Sequence, residues 1–330
     1  MAHVARPPQE SGWRVDLGIL RCFLALMVVY FHSGGTTVLG VPIPDGWLAV
    51  QMFFMISGFY MALILNEKYA SPADNWTFYS NRALRLWPPA FIVNLLVIVS
   101  FLLYGEVLLF GLTMGLGEFL ALLQSLDGLT LAYLGFINLF IIGMDSIWFI
   151  GITPESGMGY LRRGEHTFWA ASLVLNHPLW TVAVEAIFYL VSPFVLRRGP
   201  WVVAALVVVG GLYHVGLAVS PFNYRFWSYH FFPSAAYFFF LGAFMYYAFR
   251  WYRMSALRTM LERRPGLLIA VLVGFSLPAH VLIWNLLPAA SLFSALVLAP
   301  VMPILFGLTE RNRTDRFIGD LSYGTYVVHY

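Results

Sequence analysis

Arg21 and His32 lie in one unbroken apolar stretch, RCFLALMVVYFH, with ten residues between them. Eleven helical steps of about 100° return to nearly the same angle, so both side chains fall on one face of a helix. The rise over those steps is roughly 16 Å, about half the thickness of a hydrocarbon core. An ionisable group at that depth costs at least about 2.5–3.5 kcal/mol and persists only where something compensates it. Two such groups on one face suggest a polar track entering a helical bundle. An imidazole changes charge near neutral pH, which suits His32 to take a proton from a hydroxyl. The plainer alternative has Arg21 snorkelling to headgroups and His32 capping the other end of the span.

Three further features carry chemistry. Glu185 sits inside HPLWTVAVEAIFYLVSP (177–193), in a crossing that runs opposite to the first and should place it near the depth of His32. A carboxylate there needs a partner, either a neighbouring helix or an imidazole that it orients. Arg82 and Arg85 in FYSNRALRLWPP (78–89) are three apart and share a helical face. They read as a membrane-surface anchor or as a fork for phosphates, with Pro88 and Pro89 allowing a break in the helix. Ser57 and Gly58 interrupt the bulky run FFMISGFYMALIL (53–65). Small residues in a span usually mean close helix packing, with a chemical role for Ser57 the alternative. His329, in GDLSYGTYVVHY (319–330), should reach the same half of the membrane as His32. The remaining histidines show no metal-ligand spacing, so no metal is expected. Cys22, the single cysteine, excludes an internal disulfide and reads as a small apolar filler.

These residues need a membrane around them. Sixty per cent of the 330 residues are hydrophobic and 11% are charged, far from the roughly 25% charged of a soluble domain. The expected fold is all-α: a polytopic transmembrane bundle of about ten spans forming one domain over residues 1–330. Apolar runs fall near 17–38, 47–65, 88–104, 180–196, 200–219, 231–249, 266–287 and 289–308. The run 106–150 holds two crossings or a re-entrant pair, split near Asp127–Gly128. The last run begins near Phe317 and reaches only fourteen residues by Tyr330, so it reads as truncated. With the N-terminus in the cytoplasm, fifteen Lys and Arg residues fall inside and three outside, as the positive-inside rule requires. The net charge of +3 is too small to point to nucleic acid.

In order, the Arg21-x10-His32 spacing, FFMISGF (53–59), Arg82-x-x-Arg85 before LWP, WTVAVEAIFYLVSP (180–193) and LSYGTYVVH (321–329) resemble the acyltransferase family 3 membrane proteins. These acylate sugars and other surface or secreted molecules in bacteria. The resemblance implies an acyl-CoA donor, usually acetyl-CoA, entering from the cytoplasm, and a location in the inner membrane. It implies that Arg21 and His32 are essential, with His32 closest to the transfer. It assigns Arg82 and Arg85 to handling of the donor, and Glu185 to the acidic position of the family's W-S-L-x-V-E-x-x-F-Y motif. Thr181 replaces the usual Ser, and Ala186 stands where a second Glu is common. The expected partners are the bilayer, acyl-CoA and a carbohydrate or lipid-linked acceptor. A proton-coupled transporter or flippase for a glycolipid is the rival reading, because buried Arg, His and Glu along a pathway suit transport too. A membrane scaffold would explain the spans and leave the buried charges without a purpose.

Overall fold

The computed structural model describes residues 17–35, 37–38, 41–42, 46–110, 112–153, 157–160, 168–220, 224–255, 290–310 and 312–327. Among these, five helices are long and apolar enough to cross a membrane. They are α2 (Gly46–Glu67), α3 (Asn75–Tyr104), α6 (Leu179–Leu196), α7 (Pro200–Ala218) and α9 (Phe232–Met254). The shorter helices are α1 (Gly18–His32), α4 (Leu116–Ser125), α5 (Gly128–Phe140), α8 (Tyr224–His230), α10 (Ala290–Leu298), α11 (Val301–Thr309) and α12 (Arg313–Val327).

Five of the roughly ten expected spans are thus seen as helices of crossing length among the described residues. The run 106–150 does break at Asp127, whose carboxylate caps α5 by accepting from the N–H groups of Leu129 at 2.9 Å and Thr130 at 3.0 Å. The hydroxyl of Thr130 donates to the same carboxylate. These bonds favour the ionised form and hold the Asp127 carboxyl below the usual carboxylate range. The two helices it separates rise only about 15 and 20 Å, too short to cross singly. The run 289–308 is likewise two helices, interrupted at Ala299–Pro300, where proline constrains the residue before it. The expected span 266–287 lies outside the described residues. By contrast, α3 continues through Pro88 and Pro89 without a break.

Three small antiparallel sheets qualify the all-helical expectation, each inside a connection between helices. Strand β1 (Thr37–Val38) pairs with β2 (Val41–Pro42), and β3 (Glu106–Leu109) with β4 (Leu112–Gly115). Strand β5 (Ile150–Thr153) lies between β6 (Gly157–Tyr160) and β7 (Phe168–Trp169).

Helix α2 is the axis of the bundle: 89% of its apolar stretch is buried, against 17% for α7. It crosses α9 at two facing glycines. A Cβ at Gly58 would collide with the carbonyl of Phe239, and one at Gly242 with the carbonyl of Met55. This is the small-residue contact by which membrane helices bring their backbones together. A similar close approach joins α1 to α12, where Gly18 meets the backbone of Asp315 and Gly319. There the buried carboxylate of Asp315 accepts from the N–H of Gly18 at 2.6 Å and of Ile19 at 2.8 Å. Two orphan donors at the start of α1 are thus satisfied from another helix.

Candidate functional site

Helix α1 buries Arg21, Leu24, Ala25 and Val28 and exposes Ile19, Phe23, Leu26 and Tyr30. The charged group is therefore on the protein side, at 8% exposure, and the large apolar side chains are on the other. Seven and eleven residues after Arg21, Val28 and His32 line a cavity on that same side.

Arg21 lines a cavity of about 80 Å³ between α1, α2, α3, α6 and α12, which also takes in Ser57, Arg85, Glu185 and Tyr189. Both Ser57 and Tyr189 donate to the same oxygen of Glu185, Oγ at 2.6 Å and Oη at 2.5 Å. The Tyr189 ring in turn lies 5.8 Å under the guanidinium of Arg82, whose buried Nε has no hydrogen-bond partner in the protein. Arg21 and Arg85 line the cavity with one carboxylate, which leaves an excess of positive charge, and a guanidinium matches phosphate geometry. A run of contacts thus joins the Arg82–Arg85 pair to the intramembrane carboxylate. Ser57 serves that carboxylate, while its neighbour Gly58 makes the close packing on α9.

His32 stands at the opposite end of α1, in the wall shared by two larger cavities of about 590 and 510 Å³. Its Nδ1 is 3.0 Å from the carbonyl oxygen of Val28. A carbonyl only accepts, so Nδ1 carries a proton and donates to it. His177 and Phe110 line the same two cavities. Glu185 lines neither. Helix α6 runs antiparallel to α1, and the eight residues from His177 to Glu185 carry it about 12 Å from the His32 end toward the Arg21 end. The expected proximity of Glu185 to His32 is replaced by proximity to Arg21. Tyr326 and Val50 line both the small cavity and the 510 Å³ one. The Tyr326 hydroxyl is held 2.8 Å from Thr181 Oγ1, whose own proton goes to the carbonyl of Pro178 at 2.9 Å. His329 lies outside the described residues.

Residues 14–330 match the model of the acyltransferase domain family. The chain belongs to that family. Nodulation protein 10 of Rhizobium leguminosarum bv. viciae is 25% identical over 348 residues, covering 97% of this chain and 83% of the relative. No solved structure matches the chain. Five helices of crossing length together with this membership make the acyltransferase an integral membrane protein.

The structure brings Arg21, Ser57, Arg85 and Glu185 into one cavity, adds Arg82 through Tyr189, and sets His32 apart. Sequence reasoning passed over Tyr189 and Tyr326, which bridge these groups, and over His177, Trp148 and Trp180 beside His32. For Tyr189 the signal was present, since a tyrosine four residues after Glu185 on one helix shares its face. For Trp148 there was none, because the loop carrying it reaches the cavity only through the fold.

Proposed function

We propose that this acyltransferase moves an acyl group, acetyl in the simplest case, from acyl-CoA to a hydroxyl of a carbohydrate or other surface or secreted acceptor. It works in the bacterial inner membrane with its N-terminus in the cytoplasm, an orientation supported by the excess of Lys and Arg on that side. The observation that carries this reading is the separation of charge from base along α1. A cationic cavity surrounds Arg21 at one end, and an imidazole anchored through Nδ1 to Val28 borders two larger cavities at the other.

Arg82 and Arg85 hold the donor's phosphates, and Arg21 extends the positive surface inward. Glu185, fixed by Ser57 and Tyr189, keeps the guanidinium groups oriented; it is a positioning residue for the donor end. The thioester arm passes Tyr326 and Val50 to reach His32. There Nε2 takes the proton from the acceptor hydroxyl as its oxygen bonds to the acyl carbon. The carbon–sulfur bond breaks, and the thiolate leaves with the proton returned by the imidazolium. The test is CoA binding by the purified chain in detergent. Saturable binding that is lost in the Arg82→Ala/Arg85→Ala double variant is expected. An absence of CoA binding by the unaltered protein would contradict the reading and favour transport.

A further inference from the structure

Val50 of α2 and Tyr326 of α12 line both the small cavity around Arg21 and the 510 Å³ cavity that His32 borders. Val50 offers only carbon there, so the hydroxyl of Tyr326 is the polar group of this shared wall. The Tyr326 ring lies tilted against Phe53, with centroids 5.6 Å apart. Its Oη is 2.8 Å from Thr181 Oγ1. Thr181 has a single hydroxyl proton and gives it to the carbonyl of Pro178 at 2.9 Å, so toward Tyr326 it can only accept. Tyr326 is therefore a donor whose proton rests on a neutral oxygen. Neighbouring donors are committed elsewhere. His32 Nδ1 donates to the carbonyl of Val28. The first three N–H groups of α6, those of Leu179, Trp180 and Thr181, go to the carbonyls of Asn176, His177 and Pro178.

Acyl transfer places negative charge on the thioester's carbonyl oxygen as the attacking oxygen bonds to its carbon, and a donor fixed at that oxygen lowers the barrier. A hydrogen bond to a charged oxygen is about twice as strong as one between neutral groups. A hydroxyl resting on threonine therefore gains by turning to the developing oxyanion. We propose that Tyr326 Oη is that donor, a catalytic residue acting together with His32. The proposal rests on the acyl-transfer reading and adds to it the place of the reaction. The thioester stops where the two cavities join, with the CoA phosphates on the arginine side and the acyl carbon facing the His32 cavity. The acceptor's hydroxyl proton passes to His32 as its oxygen bonds to the acyl carbon. The carbonyl π pair moves onto the oxygen held by Tyr326. When that pair returns, the carbon–sulfur bond breaks and the sulfur takes the proton from the imidazolium. Tyr326 keeps its own proton throughout and swings back to Thr181.

Infrared difference spectroscopy on the purified full-length protein in detergent tests this. The probe is the ketone analogue of acetyl-CoA, in which a methylene replaces the sulfur, labelled with ¹³C at the carbonyl. It presents the carbonyl and cannot transfer the acyl group. The carbonyl band is expected at lower frequency on the unaltered protein than on Tyr326→Phe, with binding of CoA itself equal in the two. In the same variant kcat for acetyl transfer falls by roughly 10²–10³, the usual effect of removing one oxyanion donor. Thr181→Val keeps the low-frequency band, because the threonine only accepts. Incorporation of 3-fluorotyrosine at position 326, a stronger donor of nearly the same shape, lowers the band further and needs no deletion of the hydroxyl. An equal band position in the unaltered protein and Tyr326→Phe, a band unmoved by fluorination, or loss of the shift in Thr181→Val would overturn the proposal. Binding of the analogue with an unshifted band removes this proposal alone. An absence of CoA binding by the unaltered protein removes the acyl-transfer reading and this proposal with it.

Discussion

At the residue scale, the informative group is Glu185. Its two hydroxyl donors, Ser57 and Tyr189, meet on one oxygen, and a hydrogen bond to a charged group contributes about 1.5–3 kcal/mol. If the carboxylate orients the donor-side arginines, Ser57→Ala lowers kcat/KM for acyl-CoA by about tenfold. Glu185→Gln lowers it further, because an amide no longer balances the arginines beside it. Both effects should fall on acyl-CoA affinity and leave acceptor KM unmoved, which steady-state kinetics with each substrate varied in turn will check. An equal loss against both substrates would mean a merely structural carboxylate.

At the scale of elements, α1 carries both Arg21 and His32, so whatever fixes α1 fixes the candidate site. Asp315 of α12 does this by accepting from the N–H groups of Gly18 and Ile19, while Thr309 Oγ1 takes the N–H of Leu17 at 3.2 Å. Replacing a capping side chain by alanine typically costs about 1 kcal/mol. Asp315→Ala is therefore expected to lower the thermal midpoint of the detergent-solubilised protein and to reduce transfer, with Asp315→Asn recovering part of both. Much of α1 was legible beforehand: the angular return over eleven residues put Arg21 and His32 on one face, and the lipid-facing residues fall opposite. The cap was not legible, since no local pattern links position 18 to position 315.

At the scale of the whole molecule, the sequence identified the membrane class and most of the groups now found around the site. It did so because ionisable residues are rare in apolar runs and conspicuous there. Depth was harder. Placing Glu185 beside His32 assumed that α6 starts at the membrane surface. The segment before it, however, buries Ala170, Ala171 and Leu173 within the protein. Hydropathy placed this span at 180–196, close to the observed Leu179–Leu196, but it cannot distinguish a segment buried in lipid from one buried in protein, so the level of the carboxylate was misjudged. The division of 106–150 at Asp127 was legible in the sequence, whereas the interruption of 289–308 at Ala299–Pro300 was not. The outcome is a molecule divided along α1, with a cationic chamber at one end, an imidazole at the other, and Tyr326 and Val50 between them.

That division is tested most directly by separating donor binding from transfer in His32→Ala. The purified variant should bind CoA as the unaltered protein does, while acetyl transfer falls by roughly 10²–10⁴, the usual contribution of a general base. Full retention of transfer, or loss of CoA binding in step with activity, would contradict a base set apart from the donor's phosphates.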